Sequence, residues 1–173
     1  MEGLGAKAKG VWWIAESRVG TGDREPYAIN YKGEKKLVWV FVVAVLLNYL
    51  WELAQAPLYV GLKSYNAEVL WHCFVASLGD GLMVLLIVAV GCVMLRQPDW
   101  FERPGLLAYV VMVTVGVVMA VLIEWLGLHL LKRWEYTEKM PLVLGFGLVP
   151  IAQMLVIPPL IFRIVAVFGS SKT

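Results

Sequence analysis

The sequence predicts an all-α, polytopic membrane protein in which four transmembrane helices form an antiparallel bundle, preceded by an N-terminal interfacial segment. Of the 173 residues, 60% are apolar and 16% are charged, and the mean hydropathy is +0.73. Soluble domains average about 45–50% apolar and about 25% charged residues. Four apolar stretches are each long enough to cross about 30 Å of hydrocarbon, which takes roughly 20 helical residues. Together these observations exclude a disordered chain, a coiled coil and a disulfide-stabilised secreted module.

The chain is predicted to have three parts. Residues 1–36 form an N-terminal cytoplasmic or interfacial segment, residues 37–168 form the transmembrane domain, and residues 169–173 form a short tail. The predicted spans within the domain, in chain order, are Leu37–Val60, Val69–Leu95, Gly105–Leu131 and Pro141–Phe168. Only short polar connectors separate these spans, and neighbouring helices are therefore expected to run in opposite directions.

The N-terminal segment contains one short amphiphilic run, Val11–Ala15, which includes the adjacent tryptophans Trp12 and Trp13. The run is too short for a signal-peptide core, and no small-residue cleavage pattern follows it. Tryptophan side chains favour the headgroup region of a bilayer. The run is therefore predicted to be an interfacial helix or a docking segment for another subunit.

The distribution of basic residues predicts the orientation. Most of the 15 Lys and Arg residues fall in the N-terminal segment, in the connector between the second and third spans, and at the C-terminal end. Because cytoplasmic loops carry an excess of Lys and Arg, both termini are predicted to be cytoplasmic. The size of the chain and its lack of an Asn-x-Ser/Thr sequence favour a bacterial inner membrane. The net charge of +2, without a dense basic patch, argues against a nucleic-acid partner.

Three carboxylates fall inside the predicted spans: Glu52, Asp80 and Glu124. An ionisable group inside a bilayer costs several kcal/mol, and it therefore marks a functional site by default. No Lys or Arg is predicted at a comparable depth, since Arg163 can extend its side chain to the interface. The three acids must therefore be protonated, hydrated, or neutralised by a metal, a cationic ligand or another subunit.

Helical spacing places each of these acids in a stripe of small or polar residues. Residues four apart share a helix face, and small residues let membrane helices approach closely. The stripes are Ala44, Asn48, Glu52 and Ala56 with Gln55 beside them, His72, Ala76 and Asp80, and Gly116, Ala120 and Glu124. They predict one polar seam inside the bundle, in the outer half of the bilayer.

The fourth predicted span is rich in proline. It contains Pro141, Pro150, Pro158 and Pro159, with Gln153 near its middle. Prolines inside a helix free backbone carbonyl groups, which is tolerable only beside protein or water. The span is predicted to be either a kinked wall that closes a polar cavity or a bent packing helix.

Two hypotheses assign chemistry to the seam. Glu52, His72 and Glu124 are candidate metal ligands, although no Glu-x-x-His, His-x-x-x-His or Cys-x-x-Cys motif is present. Glu52, Asp80 and Glu124 are also candidate catalytic acids and bases for a lipophilic substrate. In both cases the supporting ligand-binding residues are Asn48, Gln55, His72 and Gln153.

Two further hypotheses need no chemistry. The acids could bind a lipophilic cation or a proton, and transport would then require a homo-oligomer, because one four-helix protomer is small for a path. Alternatively, the chain is an accessory subunit whose acids meet basic groups of a larger membrane complex. The predicted partners are therefore membrane lipid, a lipophilic or cationic small molecule, and further protein subunits. A binding or catalytic site is favoured over the accessory role.

Seven aromatic residues are predicted near the same end of the spans: Trp51, Tyr59, Tyr65, Trp71, Trp125, Trp134 and Tyr136. They are candidates for the wall of a pocket. The aromatic belt of membrane proteins explains most such residues, and this interpretation is preferred for them. No phosphate loop, nucleophile elbow, Rossmann fingerprint or redox cysteine pair is present in the sequence.

Overall fold

A computed structural model describes the backbone of residues 31–169 and the side chains of residues 34–167. The predicted interfacial run Val11–Ala15 and most of the predicted tail lie outside the described residues. The four helices are α1 (Tyr31–Gln55), α2 (Ala67–Leu95), α3 (Leu106–Trp125) and α4 (Leu148–Gly169). Short turns adjoin them: 3-10 turns at Ala56–Leu58 and Trp100–Glu102, and a π-helical turn at Leu126–Leu130.

Four helical segments are long and apolar enough to cross a membrane, as judged by length and composition. They are Glu34–Leu58, Ala67–Leu95, Leu106–Leu130 and Leu148–Val167. The predicted helical fold class with four candidate spans is therefore confirmed. The first three segments agree with the predicted spans to within a few residues.

The sequence defines the ends of α2. The side chain of Asn66 caps its N-terminus, since Asn66 Oδ1 accepts a hydrogen bond from Val69 N at 2.9 Å. This bond satisfies one of the four backbone donors that a helix start leaves free. At the other end Arg96 adopts a left-handed conformation with a φ of 53°, which ends the helix ahead of Pro98.

The predicted start of the fourth span at Pro141 is wrong. Strands β1 (Leu142–Val143) and β2 (Phe146–Gly147) pair in an antiparallel hairpin before α4 begins. The two residues of its turn, Leu144 and Gly145, have φ angles of 51° and 86°, as a type I′ turn requires. An apolar run without helical or strand periodicity does not distinguish a helix from a short hairpin, and this ambiguity caused the error.

The later start of α4 changes the role of its prolines. Pro150 lies in the first turn of the helix, where a missing N–H breaks no helical hydrogen bond. Pro158 and Pro159 are the prolines inside the helix. Gln153 consequently lies close to the beginning of α4 and not at its middle.

Aromatic residues fill the end of the molecule where α2 leads into α3. Trp100 and Phe101 are each 3% exposed, and their rings pack against Phe162 of α4 with centroids 5.4 and 6.0 Å away. Trp100 Nε1 donates a hydrogen bond to the carbonyl oxygen of Val88 at 3.0 Å. The ring lies on Gly91, where a Cβ atom would come within 2.3 Å of Trp100 Cζ2. Gly91 therefore makes the space in which this aromatic cluster packs.

Replacement of Gly91 by alanine is expected to destabilise the protein by about 1–3 kcal/mol, because Trp100 must shift out of a filled core. Gly79 on the same helix is the matched control, since a Cβ there meets no atom within 4 Å. Gly79→Ala should leave stability unchanged or raise it by about 0.5–1 kcal/mol, because alanine favours helix. Unfolding of both variants in the same detergent checks this expectation. Equal stability of the two variants would show that Trp100 does not depend on Gly91.

Candidate ligand-binding cavity

A cavity of about 300 Å³ lies between the four helices, near the end of the molecule where α1 ends and α4 begins. We call this end the cavity end. Six of the residues that the sequence singled out line it: Glu52, Gln55, His72, Asp80, Glu124 and Gln153. The seventh, Asn48, is fully buried and binds the side chain of Gln153. The polar residues of the seam predicted from spacing therefore lie in or beside one cavity in the structure.

The spacing by four explains how the helices present these side chains. On α2, His72, Ala76 and Asp80 all line the cavity, and on α3, Ala120 and Glu124 do so. One turn further from the cavity, the small residue in the α3 stripe is Gly116. A Cβ at Gly116 would lie 3.2 Å from the carbonyl oxygen of Met154, so α3 and α4 are in close contact there. The small residues bring the helices together, and the polar residues follow on the same face.

The amide of Gln153 connects three helices. Its Nε2 atom lies 2.8 Å from Asn48 Oδ1, 2.8 Å from Asp80 Oδ2 and 3.5 Å from Glu52 Oε1. An amide nitrogen carries two hydrogens, and hydrogen bonds weaken beyond about 3.2 Å. Asn48 and Asp80 therefore receive the two good hydrogen bonds. Asn48 is itself fixed, because its Nδ2 donates to the carbonyl oxygen of Ala44 at 2.8 Å.

Gln55 supplies the second amide at the site. Its Nε2 donates to Glu52 Oε1 at 2.7 Å and lies 3.3 Å from Gln153 Oε1. Gln55 is only 4% exposed and lines the cavity. Its Oε1 is buried and has no hydrogen-bond partner among the residues that the structure describes. A buried acceptor without a donor costs about 1–3 kcal/mol, and this atom is therefore a candidate contact for a ligand.

The carboxyl groups of Glu52 and Asp80 share a neighbour, since Gln153 Nε2 lies 3.5 Å from Glu52 Oε1 and 2.8 Å from Asp80 Oδ2. Both therefore draw on the same small set of amide hydrogens from Gln55 and Gln153. The cavity has no positive charge from lysine or arginine, because neither residue type lines it within the described part of the chain. Two adjacent carboxylates in apolar surroundings need a proton or a cation between them.

The third acid, Glu124, has its own donor. It is 4% exposed, and the hydroxyl group of Tyr136 donates a hydrogen bond to its Oε2. The backbone N–H of Gly147 in turn donates to the Tyr136 oxygen at 2.9 Å. The pKa of Tyr136 lies above its ordinary value of 10. The larger cause is burial, and the second is the hydrogen bond to Glu124. Tyr136 is therefore a neutral hydrogen-bond donor to Glu124.

The segment after α3 closes the cavity end. Tyr59 and Tyr136 form an isolated antiparallel bridge, and Val60 N donates to the carbonyl oxygen of Glu135 at 2.9 Å. The ring of Trp134 packs on the π-helical turn, where a Cβ at Gly127 would come within 2.0 Å of it. Burial, and then the nearby charges of Glu124 and Glu52, raise the pKa of Tyr59 above its usual range. The bridge thus places a neutral phenol beside the acids.

The aromatic-belt interpretation is incomplete for three residues. Tyr59 and Trp134 line the cavity, and Tyr136 binds one of its acids. The sequence does not predict the role of Tyr136, because this residue reaches Glu124 from a loop. No helical periodicity relates a loop position to a position on α3. His129, by contrast, is exposed and stacks on Trp125 with ring centroids 6.4 Å apart.

The predicted metal ligands line the same cavity without forming a recognisable metal centre. His72 is exposed at the rim, whereas Glu124 is buried against Tyr136. Among the described residues, no three His, Cys, Asp or Glu side chains are grouped so that they could hold a metal ion. The arrangement presents carboxyl and amide oxygens to the cavity from several helices.

No protein-family model, curated protein sequence or solved structure matches this chain. The geometry of the cavity is therefore the basis on which a function can be assigned.

Loss of the Tyr136 hydroxyl group in Tyr136→Phe is expected to cost about 1–3 kcal/mol, because the buried Glu124 and the Gly147 N–H both lose their partner. Tyr65→Phe is the matched control. Tyr65 also donates a hydrogen bond, in its case to the backbone carbonyl oxygen of Leu53 at 3.0 Å. Its side chain is 59% exposed, however, and water can replace the bond. Unfolding measured in the same detergent should show a clear loss for Tyr136→Phe and a change within about 0.5 kcal/mol for the control. Equal effects would show that Tyr136 does not hold Glu124.

Proposed function

We propose that the chain is an integral membrane protein that binds a lipophilic organic cation, with Glu52, Asp80 and Glu124 neutralising the positive charge. In this proposal the four candidate spans form an antiparallel bundle and both termini are cytoplasmic. The excess of Lys and Arg at that side supports this orientation. The cavity end then lies in the outer half of the bilayer.

The observation that carries the proposal is the excess of hydrogen-bond acceptors around the amides of Gln55 and Gln153. The amide of Gln55 donates to Glu52 and Gln153, and the amide of Gln153 donates to Asn48 and Asp80. Each amide nitrogen carries two hydrogens, and neither has one left for another acceptor. Gln55 Oε1 remains without a donor, and each carboxylate can accept more hydrogen bonds than it receives. A primary ammonium group offers three N–H donors and a positive charge, which match this excess of acceptors.

The apolar part of the wall fits the rest of such a ligand. Ala76, Met83, Ala120 and Met154 line the cavity together with Tyr59 and Trp134. Aromatic faces attract organic cations, and apolar side chains favour a hydrocarbon body. The volume of about 300 Å³ is at the lower end of the range for small-molecule sites. A compact amine therefore fits the site better than a large polar solute.

Hexylamine binding to the protein in nanodiscs tests the proposal, with empty nanodiscs giving the background. The wild type should bind radiolabelled hexylamine, and excess hexanol, which has the same chain without the charge, should displace it poorly. Glu52→Gln, Asp80→Asn and Glu124→Gln should each weaken binding at least tenfold, because each removes a charge that the ammonium group needs. Glu68→Gln is the matched control, since Glu68 is an exposed acid near the same end of α2.

Competition by protons provides a second arm of this test. Hexylamine affinity should fall as the pH is lowered, because protons neutralise the same carboxylates. Binding that is absent in the wild type, or equally strong for hexanol, would overturn the proposal. If amine binding is absent and the acid variants lose a co-purifying subunit, the accessory-subunit hypothesis is supported instead. Uptake of bound amine into vesicles would extend the function to transport.

A further inference from the structure

The wall of the cavity is open on the side where α2 and α3 face each other. Gly79 lines the cavity and is also exposed at the molecular surface, and a Cβ added there meets no atom within 4 Å. On α3, Ile123 also lines the cavity and is 43% exposed. Residues that reach both the cavity and the outside of the molecule mark an opening between them.

At positions near the opening, the helices are in close contact. On α2, only two residues from Gly79, a Cβ at Gly81 would lie 2.8 Å from Val45 Cγ2 of α1. On α3, a Cβ at Gly116 would lie 3.2 Å from the Met154 carbonyl oxygen of α4 and 3.5 Å from Ile87 Cδ1 of α2. The last contact shows that α2 and α3 meet further from the cavity end. The opening therefore does not extend past this contact, away from the cavity end.

The opening lies within the apolar length of both candidate spans. At about 1.5 Å per residue, Gly79 is roughly 18 Å from the Ala67 end of its span and Ile123 roughly 10 Å from the Leu130 end of its own. The exposed residues around it are apolar: Val75 is 50%, Leu82 61% and Leu122 53% exposed. In a bilayer, these side chains face hydrocarbon and not water.

From this geometry we infer that the ligand is an amphiphile dissolved in the membrane, a long-chain alkyl ammonium, that enters sideways between α2 and α3. This inference rests on the proposed function. The ammonium group reaches Glu52, Asp80 and Gln55, and the hydrocarbon chain leaves the cavity past Gly79 and Ile123 into the bilayer. A cavity of about 300 Å³ then needs to hold only the head of the molecule.

Two amines of different solubility test the route in nanodiscs. Dodecylamine partitions into the bilayer, whereas methylamine stays in water and reaches the site from the exposed His72 rim. Gly79→Phe places a ring in the opening and should slow dodecylamine binding at least ten times more than it slows methylamine binding. Ile123→Trp should do the same from the opposite side. Val93→Phe is the matched control, because Val93 is 78% exposed on α2, lies far along the helix from Gly79 and does not line the cavity.

The outcomes separate the route from the function. If neither amine binds to the wild type, the proposed function and this inference both fail. If both amines bind and both blocking variants take up dodecylamine as fast as the control does, the lateral route is wrong and the cation site stands.

A crosslinking measurement on the wild type does not depend on the folding of any variant. A dodecylamine with a diazirine in mid-chain should label peptides that contain Val75, Gly79, Leu82 or Ile123, and excess unlabelled dodecylamine should suppress the labelling. Competable labelling confined to the segment between α3 and α4 would contradict the lateral route.

Discussion

The amide of Gln153 is the interaction on which the arrangement of the cavity depends. It joins Asn48 of α1 and Asp80 of α2 to α4 through two hydrogen bonds of 2.8 Å. Buried polar groups in an apolar bundle are costly unless they are paired, and the pairing is geometrically demanding. The position of α4 is therefore tied to that of the other two helices at the level of the acids. A carboxylate in place of the amide would supply no hydrogen, and a shorter amide would not span the same distances.

The two ends of the molecule are stabilised by different kinds of interaction. At one end, Trp100, Phe101 and Phe162 pack edge to face or tilted, and Gly91 gives Trp100 its place on α2. Dense aromatic packing of this kind contributes stability without polar groups. At the cavity end, hydrogen bonds from amides and phenols replace such packing. The aromatic end holds the helices together. The oxygen atoms of the three acids at the cavity end therefore remain available as hydrogen-bond acceptors.

The features that could be predicted from the sequence are those that depend on the periodicity of a single helix. The lengths and apolar composition of the first three spans and the shared face of His72 and Asp80 follow from spacing alone. The start of α4 could not be predicted, since the hairpin before it is as apolar as the helix that follows. Tyr136 was missed as a partner of Glu124 for a related reason. Its position depends on the π-helical turn at Leu126–Leu130 and on the bridge to Tyr59, and no local pattern encodes either contact.

The environment of the acids differs between the end of the bundle and its side. At the end, the bridge between Tyr59 and Tyr136 and the ring of Trp134 cover the cavity, and both phenols stay neutral because their pKa values are raised. Tyr136 donates a hydrogen bond to Glu124, but none of these neutral groups compensates negative charge. At the side, Gly79 leaves space where Gly81 leaves none, although both glycines belong to α2. The tyrosines at the end of the bundle supply no positive charge, whereas Gly79 leaves space at the side. For this reason we propose that a cation with an apolar chain reaches the acids from the side and balances their charge.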